Sequence, residues 1–360
     1  MNVLQVLGRS EGGVAKHVER LTGLLAERGV AVSVAAPAEL RSRFECEFHA
    51  TPIPAGAGFS GHLRAVGSLL RLTRRHRFSV VHGHGLRAGL DSCIAGRLGG
   101  VGRVATLHNI VQPEVVGGWG TSLGRPAESL LLMIANKVYV ASSDMAQRLA
   151  THNQRKVELW PVGVEVPMVT RSRENVRIEL EIPADRKVVA TVARLAPQKA
   201  LHVLLEAVAK LPDVVVVVAG DGPLRKTLQE TTAGLGIGER VRWLGHVDDV
   251  GDVIAAADVF CLSSTWEARA LAAQEAILLG TPVVATAVGG MIELVEDRQS
   301  GRLVPPGDAG ALAGALTDVL NDPETASRYA AEARDRLHRA PSESEAVDGL
   351  IETYAGFSRA

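Results

Sequence analysis

Asp258-Val-Phe-Cys-Leu-Ser-Ser-Thr-Trp-Glu267-Ala-Arg-Ala-Leu-Ala-Ala-Gln-Glu275-Ala-Ile-Leu-Leu-Gly280 is the stretch on which the fold is read. Its opening, Asp258-Val-Phe-Cys-Leu, has the unbroken apolar run of a strand buried on both faces. Ala270–Leu279 is rich in helix formers and stops at Gly280. Glu267 therefore sits at a strand-to-helix turn, on the carboxyl edge where open α/β domains bind ligands. Glu275 lies eight residues on, in a segment that is apolar nearly all round. A carboxylate is rarely buried without a partner, so a ligand hydroxyl or an arginine is expected beside it. The competing reading is a Glu267 favoured by the helix dipole and a Glu275 on a narrow solvated strip.

Strand–helix alternation spreads from there in both directions. Lys187–Ala193, Val214–Ala219, Val241–Leu244, Val259–Leu262, Pro282–Thr286 and Arg302–Val304 read as strands, with helices at Val203–Lys210, Leu224–Leu235 and Ala270–Leu279. The first half repeats the pattern: strands at Val3–Leu7, Val30–Ala36, Ser79–His82, Val104–Leu107 and Lys137–Ala141, helices at Val14–Arg28 and Leu63–Arg77. Such alternation implies βαβ units and parallel sheets. Ile110–Pro126, with four glycines, two prolines and Trp119, reads as a long irregular loop. The boundary is placed near Pro167: residues 1–167 and 168–340 form two tandem doubly wound domains facing a cleft. An amphipathic closing helix, Glu343–Phe357 within residues 341–360, crosses back to the first.

Composition agrees with two such domains. The 360 residues are 46% hydrophobic and 22% charged, which excludes disorder, collagen and a disulfide miniprotein. Val214–Ala219, one of the longest apolar runs, is far short of the ~20 residues a spanning helix needs. The N-terminus has no basic region or cleavage site, and Cys46, Cys93 and Cys261 have no metal or disulfide spacing, so a cytoplasmic chain is expected. The net charge of −1 hides an asymmetry: residues 1–165 carry 19 basic against 12 acidic side chains, and residues 166–360 carry 20 against 28. The basic half suits an anionic partner; scattered solvated arginines are the plain alternative.

Four smaller constellations lie at strand ends. Ala193-Arg194-Leu-Ala-Pro-Gln-Lys199 sets two cations between a strand and a helix N-terminus, which suits a diphosphate. Gly220-Asp-Gly222-Pro223 is a tight turn, but it lacks the third glycine and the acidic residue of a dinucleotide dehydrogenase. Gly12 and Gly13, in the first βα turn, admit close backbone approach to an anion. His82, His84 and His108 follow strands, where His108 could position substrate or merely bond the backbone. No metal spacing emerges, since His82 and His84 are read as facing opposite ways in an extended segment. Arg71, Arg74 and Arg75 share a helix face that is either solvated or a membrane-surface contact. Aromatics, at 4%, are too few for interleaved nucleic-acid binding.

Taken together, these residues resemble the GT-B-fold, nucleotide-sugar-dependent retaining glycosyltransferases of family 4. The resemblance runs nearly end to end. Glu267 and Glu275 match the family's Glu-x7-Glu signature, and Ala193–Ala200 its Gly-Arg-Leu-x-x-x-Lys-Gly turn. Gly220–Pro223, Pro282–Gly290 and Gly301–Asp308 match three further motifs in order. Gly12-Gly13, His82-Gly-His84, Thr106-Leu-His108 and Ala141-Ser142 match weaker positions in the first half. Ala268-Arg269-Ala270 stands where Gly-Phe-Gly is usual, so Arg269 places a charge beside the implied donor site. Ala193 and Ala200 replace glycines, and Val162 replaces the Asn of the usual hinge.

The resemblance implies roles for these residues. Arg194, Lys199 and the Gly12-Gly13 amides would hold the donor diphosphate, with Gly220, Gly222 and Arg269 nearby and no metal or cofactor required. Glu275 would accept from ribose hydroxyls, Glu267 would face the donor sugar, and His108 would touch the sugar and orient the reacting groups. The activity implied is transfer from a UDP or GDP sugar to a hydroxyl, with retention, for an envelope glycan or glycolipid. An anionic or lipid-linked acceptor, and peripheral contact of the first domain with the inner face of a membrane, follow from the basic half. A nucleotide-sugar epimerase or hydrolase, or a catalytically silent nucleotide-sugar binding protein, is the alternative.

Overall fold

A computed structural model describes residues 1–9, 12–54, 58–109, 118–153 and 156–357, with the side chains of 118–123 and 150–153 also outside the description. The chain divides into two compact units: unit 1 is Met1–Gly163 with Pro341–Ala360, and unit 2 is Val164–Ala340.

Unit 1 is built on β1 (Asn2–Leu7), β2 (Ala31–Ala36), β3 (Glu47–Ala50), β4 (Val80–His84), β5 (Gly102–Leu107), β6 (Lys137–Val140) and β7 (Val157–Leu159), in the order β3-β2-β1-β4-β5-β6-β7. Every pairing is parallel. The register sets Gln5 opposite His82 and Leu7 opposite His84, while His84 also faces Thr106. Val14, Val18, Leu21 and Leu25 give the first helix, Gly13–Glu27, an apolar stripe, on which Val18, Leu21 and Leu25 are buried.

Within the stretch expected to be a loop, residues 110–117 lie outside the description, but Gly118–Ile134 is a helix with Pro126 inside it. Leu131 and Leu132 are buried, and that packing outweighs one lost backbone donor. The closing helix, Glu343–Phe357, buries Val347, Leu350 and Tyr354 and belongs to unit 1. The Arg28 guanidinium donates to Asp348 at 2.6 Å, and the Tyr354 hydroxyl lies 2.6 Å from His82 Nδ1.

Unit 2 repeats the topology with β8 (Lys187–Val192), β9 (Val214–Ala219), β10 (Val241–Gly245), β11 (Val259–Leu262), β12 (Val283–Thr286) and β13 (Arg302–Val304), in the order β10-β9-β8-β11-β12-β13. β9 is Val-Val-Val-Val-Val-Ala and buried throughout, as a central parallel strand covered on both faces must be. In both sheets the chain direction of growth reverses once, at β1/β4 and at β8/β11. Ligands of doubly wound folds bind outside the carboxyl ends of the strands at such a point.

Candidate active site

Two turns meet at the β8/β11 reversal of unit 2. Lys199, seven residues beyond β8, places its Nζ 2.5 Å from Glu267 Oε1, and Ser264 Oγ donates to the same oxygen at 2.6 Å. The Glu267 side chain is 7% exposed and that of Lys199 is 22% exposed, so the ammonium is the accessible member of the pair. Backbone contacts fix both turns. Gln198 Nε2 donates to Trp266 O at 2.7 Å, Thr265 N donates to Gln198 O at 2.8 Å, and Ser263 Oγ donates to Lys199 O at 3.1 Å. Gly290 N donates to Glu267 O at 2.9 Å. Gly289 beside it has φ +46, and a Cβ there would come within 2.0 Å of Glu267 O. The Gly289-Gly290 pair thus lets a third loop close on the glutamate turn.

Arg194 is exposed on the same turn as Lys199. Its backbone is seated on the turn after β9: Leu195 N donates to Asp221 O and Leu224 N to Leu195 O, both at 3.0 Å. Cβ atoms on Gly220 and Gly222 would fall 2.0 Å from Ala193 O and 2.5 Å from Leu195 O. In the structure these two glycines therefore brace the arginine turn, a role their spacing alone did not reveal. Arg269 is 9% exposed at its side chain and lies 3.8 Å from Glu293 Oε2. Burial lowers its pKa, against the opposing pull of Glu293. Its charge is thus met within unit 2. Glu275 is half-buried on the helix Leu271–Leu279, beside the buried Gln274.

Ala200, in the position that the family fills with glycine, has φ 44 and ψ 40. A left-handed alanine costs ~1–2 kcal/mol, partly offset by its buried methyl group. Ala200→Gly is expected to stabilise unit 2 by about 0.5–1 kcal/mol, raising Tm by about 2 °C in a thermal melt. An unchanged or lower Tm would show that the backbone there carries no strain.

In unit 1, Gly12 caps the first helix, its carbonyl accepting from Ala15 N at 3.0 Å; Ser10 and Glu11 of the same turn lie outside the description. A Cβ on Gly12 would meet nothing within 4 Å among the described residues. The histidines correct one expectation. His82 and His84 project to the same side of β4, their rings stacked with centroids 4.4 Å apart, because alternate residues of a strand share a face. His82 Nε2 lies 2.7 Å from Thr106 Oγ1, His84 Nε2 lies 2.8 Å from Gln5 Oε1, and Gln5 Nε2 donates to Tyr354 Oη at 3.2 Å. His108 joins them, with Nε2 3.4 Å from His84 Nδ1.

Two further members of this group escaped the sequence reading. His17 is buried, with Nδ1 2.6 Å from Glu343 of the closing helix; Arg20 Nε approaches the other Glu343 oxygen at 3.3 Å. The available signal was position: His17 falls with Val14, Val18 and Leu21 on the buried stripe of its helix. Burial, reinforced by the neighbouring imidazoles, lowers the His82 pKa to about 3 and holds His84 and His108 well below the ordinary histidine value.

A cavity of about 340 Å³ opens at the carboxyl ends of β1–β3, lined by apolar and small residues together with one cation, Arg9, and one anion, Glu39. Arg71, Arg74 and Arg75 are exposed on the helix Phe59–His76, which buries Leu69 and Thr73 on its other side. Among the described residues no helix is long and apolar enough to cross a membrane.

Tandem doubly wound units with a charged constellation at the reversal point define the GT-B class of glycosyltransferase. The chain belongs to that class: residues 11–166 match the model for Glycosyltransferase Family 4, and residues 172–336 match that for Glycosyl transferases group 1. It is 34% identical over 296 residues to the D-inositol 3-phosphate glycosyltransferase of Mycolicibacterium smegmatis, covering 77% of this chain and 67% of that one. It is 30% identical to the phosphatidyl-myo-inositol mannosyltransferase of the same organism, covering 91% and 86%. Anabaena HepE in complex with UDP-glucose superposes with a TM-score of 0.86 at 23% identity, over 99% of this chain and 100% of that one.

Proposed function

We propose that this glycosyltransferase moves a hexosyl group, with retention, from a UDP sugar to a hydroxyl of a phosphorylated polyol of the inositol phosphate class, free or lipid-linked. The Lys199–Glu267 ion pair at the β8/β11 reversal carries the reading. It places a cation for a diphosphate and an anion for a sugar side by side, where the fold binds ligands. In transfer, the bond from the anomeric carbon to the β-phosphate oxygen breaks and the bond to the acceptor oxygen forms on the same face. The acceptor proton leaves to the departing phosphate. Negative charge grows on the diphosphate, and in this reading Lys199 and Arg194 meet it without an ion bound to the phosphates. Glu267 faces the positive charge that develops at the anomeric centre, Glu275 accepts from ribose hydroxyls, and His108 orients the reacting groups.

Two observations support the acceptor class. Both relatives act, by name, on an inositol that bears phosphate. Residues 1–165 carry the basic excess, 19 basic against 12 acidic side chains.

Calorimetry with UDP and GDP, each with Mg2+ and with EDTA, tests the donor; UDP is expected to bind equally in both. Mass spectrometry then follows UDP-glucose and UDP-N-acetylglucosamine with inositol phosphate or phosphatidylinositol, and a hexosylated product is expected. Free sugar or an epimerised donor formed without acceptor would replace transfer by hydrolysis or epimerisation. Donor binding with no turnover on any acceptor would leave a binding protein.

A further inference from the structure

The amino-terminal edge of the unit 1 sheet, the end opposite Gly12 and His108, carries a side-chain group with no part in transfer. Glu47, His49 and His76 each present one ligand atom within 4.8 Å of the others. His49 Nε2 and His76 Nδ1 face the same carboxylate oxygen, Glu47 Oε1, at 3.8 and 3.7 Å. Two elements bring them together. Glu47 and His49 are the first and third residues of β3 and so share a face of the strand. His76 ends the helix Phe59–His76, and Asn2 Nδ2 donates to His76 O at 3.1 Å, tying that helix end to the start of β1.

The surroundings hold the three side chains in place. Ser33, opposite Glu47 in β2, donates from Oγ to Glu47 Oε2 at 3.0 Å and so leaves Oε1 turned to the rings. The buried Phe78 seats both imidazoles: His76 stacks on it with centroids 5.8 Å apart, and His49 meets it edge-on at 6.3 Å. His49 Nε2 is buried with no hydrogen-bond partner among the described residues. A hydrogen-bonded triad does not account for this arrangement. Separations of 3.7 and 3.8 Å are beyond hydrogen-bond range, and a buried nitrogen left unpaired is costly. Two donors bound ~2.0–2.1 Å from one tetrahedral ion stand about 3.3–3.4 Å apart, a few tenths of an ångström inside the spacing seen here. The Glu47 side chain is 55% exposed and closes that difference by a small rotation; it also leaves the group open to an ion from solvent.

We infer that Glu47, His49 and His76 form a binding site for one divalent transition-metal ion, Zn2+ by ligand type, with a fourth position filled by water. Two imidazoles and one carboxylate suit Zn2+, whereas Mg2+ and Ca2+ call for oxygen ligands throughout. Ser33 is the outer partner that orients the ligating carboxylate. β3 is a four-residue strand at the edge of the sheet, paired only with β2. An ion held by Glu47, His49 and His76 fastens that edge to the end of the helix that crosses from β3 to β4, so its role is structural. Nucleotide binding in unit 2 does not depend on it.

The test uses the full chain, stripped with a chelator, and titrates Zn2+ by calorimetry with metal content read by mass spectrometry. One equivalent per chain is expected, with affinity falling at least 30-fold in His49→Gln and in His76→Gln. Cys46→Ser, which removes the partly buried thiol beside Glu47, is expected to bind as the unmutated chain does. Saturating Zn2+ is expected to raise the melting temperature of the unmutated chain and not that of His49→Gln. X-ray absorption on the unmutated Zn2+-loaded chain gives a reading that needs no variant to fold: two imidazoles and no sulfur around the ion. Stoichiometric binding lost with either histidine, together with that ligand count, supports the site. No Zn2+ uptake by the unmutated chain, full affinity in both glutamine variants, or a shell with sulfur or with three imidazoles would each overturn it. UDP affinity, expected to be the same in every one of these samples, keeps failure of this site distinct from failure of the donor reading.

Discussion

Glu267→Gln is expected to lower kcat by about 10²–10³-fold while leaving UDP affinity within about threefold of the original. The substitution keeps the shape of the side chain and the oxygen that Lys199 and Ser264 address, at 2.5 and 2.6 Å. The turn is also held by backbone bonds to Gln198 and Gly290, which the substitution does not touch. What disappears is the negative charge, in a side chain only 7% exposed, where water screens it little. An interaction that strengthens only as positive charge appears at the anomeric carbon lowers kcat and not donor binding when removed. Steady-state rates, with UDP calorimetry and a thermal melt on the same protein, provide the check. A variant that turns over at the original rate removes Glu267 from the chemistry, and one that loses UDP binding instead places it among the diphosphate contacts.

The parts of this site that the sequence made legible share one property: they lie at the ends of strands within a few residues of an apolar run. Arg194, Lys199 and Glu267 could be placed at carboxyl edges because β8 and β11 are obvious from Val188–Val192 and Val259–Leu262. That Lys199 and Glu267 would form a single ion pair was not legible, since it depends on β8 and β11 being neighbours in the sheet. Gly220 and Gly222 carried a turn signal whose purpose appears only against Ala193 and Leu195. The short strand β3 went unread because Glu-Phe-His-Ala is too brief and polar to stand out. His17 and Glu343 were invisible for the strongest reason: they come from opposite ends of the chain and meet only when the closing helix docks on unit 1. An amphipathic pattern predicts that a helix packs, and says nothing of the side chain it carries to its neighbour.

Lys199→Ala is expected to weaken UDP binding by about 10-fold or more, and Arg194→Ala by only a few-fold. A charge-assisted contact contributes ~1.5–3 kcal/mol, equivalent to about 10–150-fold in affinity. Two features of the structure decide where each residue falls. Arg194 is exposed, so solvent and salt screen it. Lys199 is largely shielded but already holds Glu267 at 2.5 Å, so an arriving diphosphate shares the ammonium instead of capturing a free one. The affinity lost with Lys199 therefore belongs toward the lower end of the range. Removing it also strips Glu267 of its counter-charge in a buried turn, which is costly, so kcat falls as well. Lys199→Arg separates the two effects: it keeps the charge but not the compact ammonium that fits between carboxylate and phosphate, so binding recovers more than turnover. Calorimetry with UDP at low and moderate salt, alongside steady-state rates, measures all three variants. Equal affinity in Lys199→Ala and the unmutated chain would detach the β8 turn from the diphosphate, whereas a larger loss in Arg194→Ala would move the phosphate to the exposed edge of that turn.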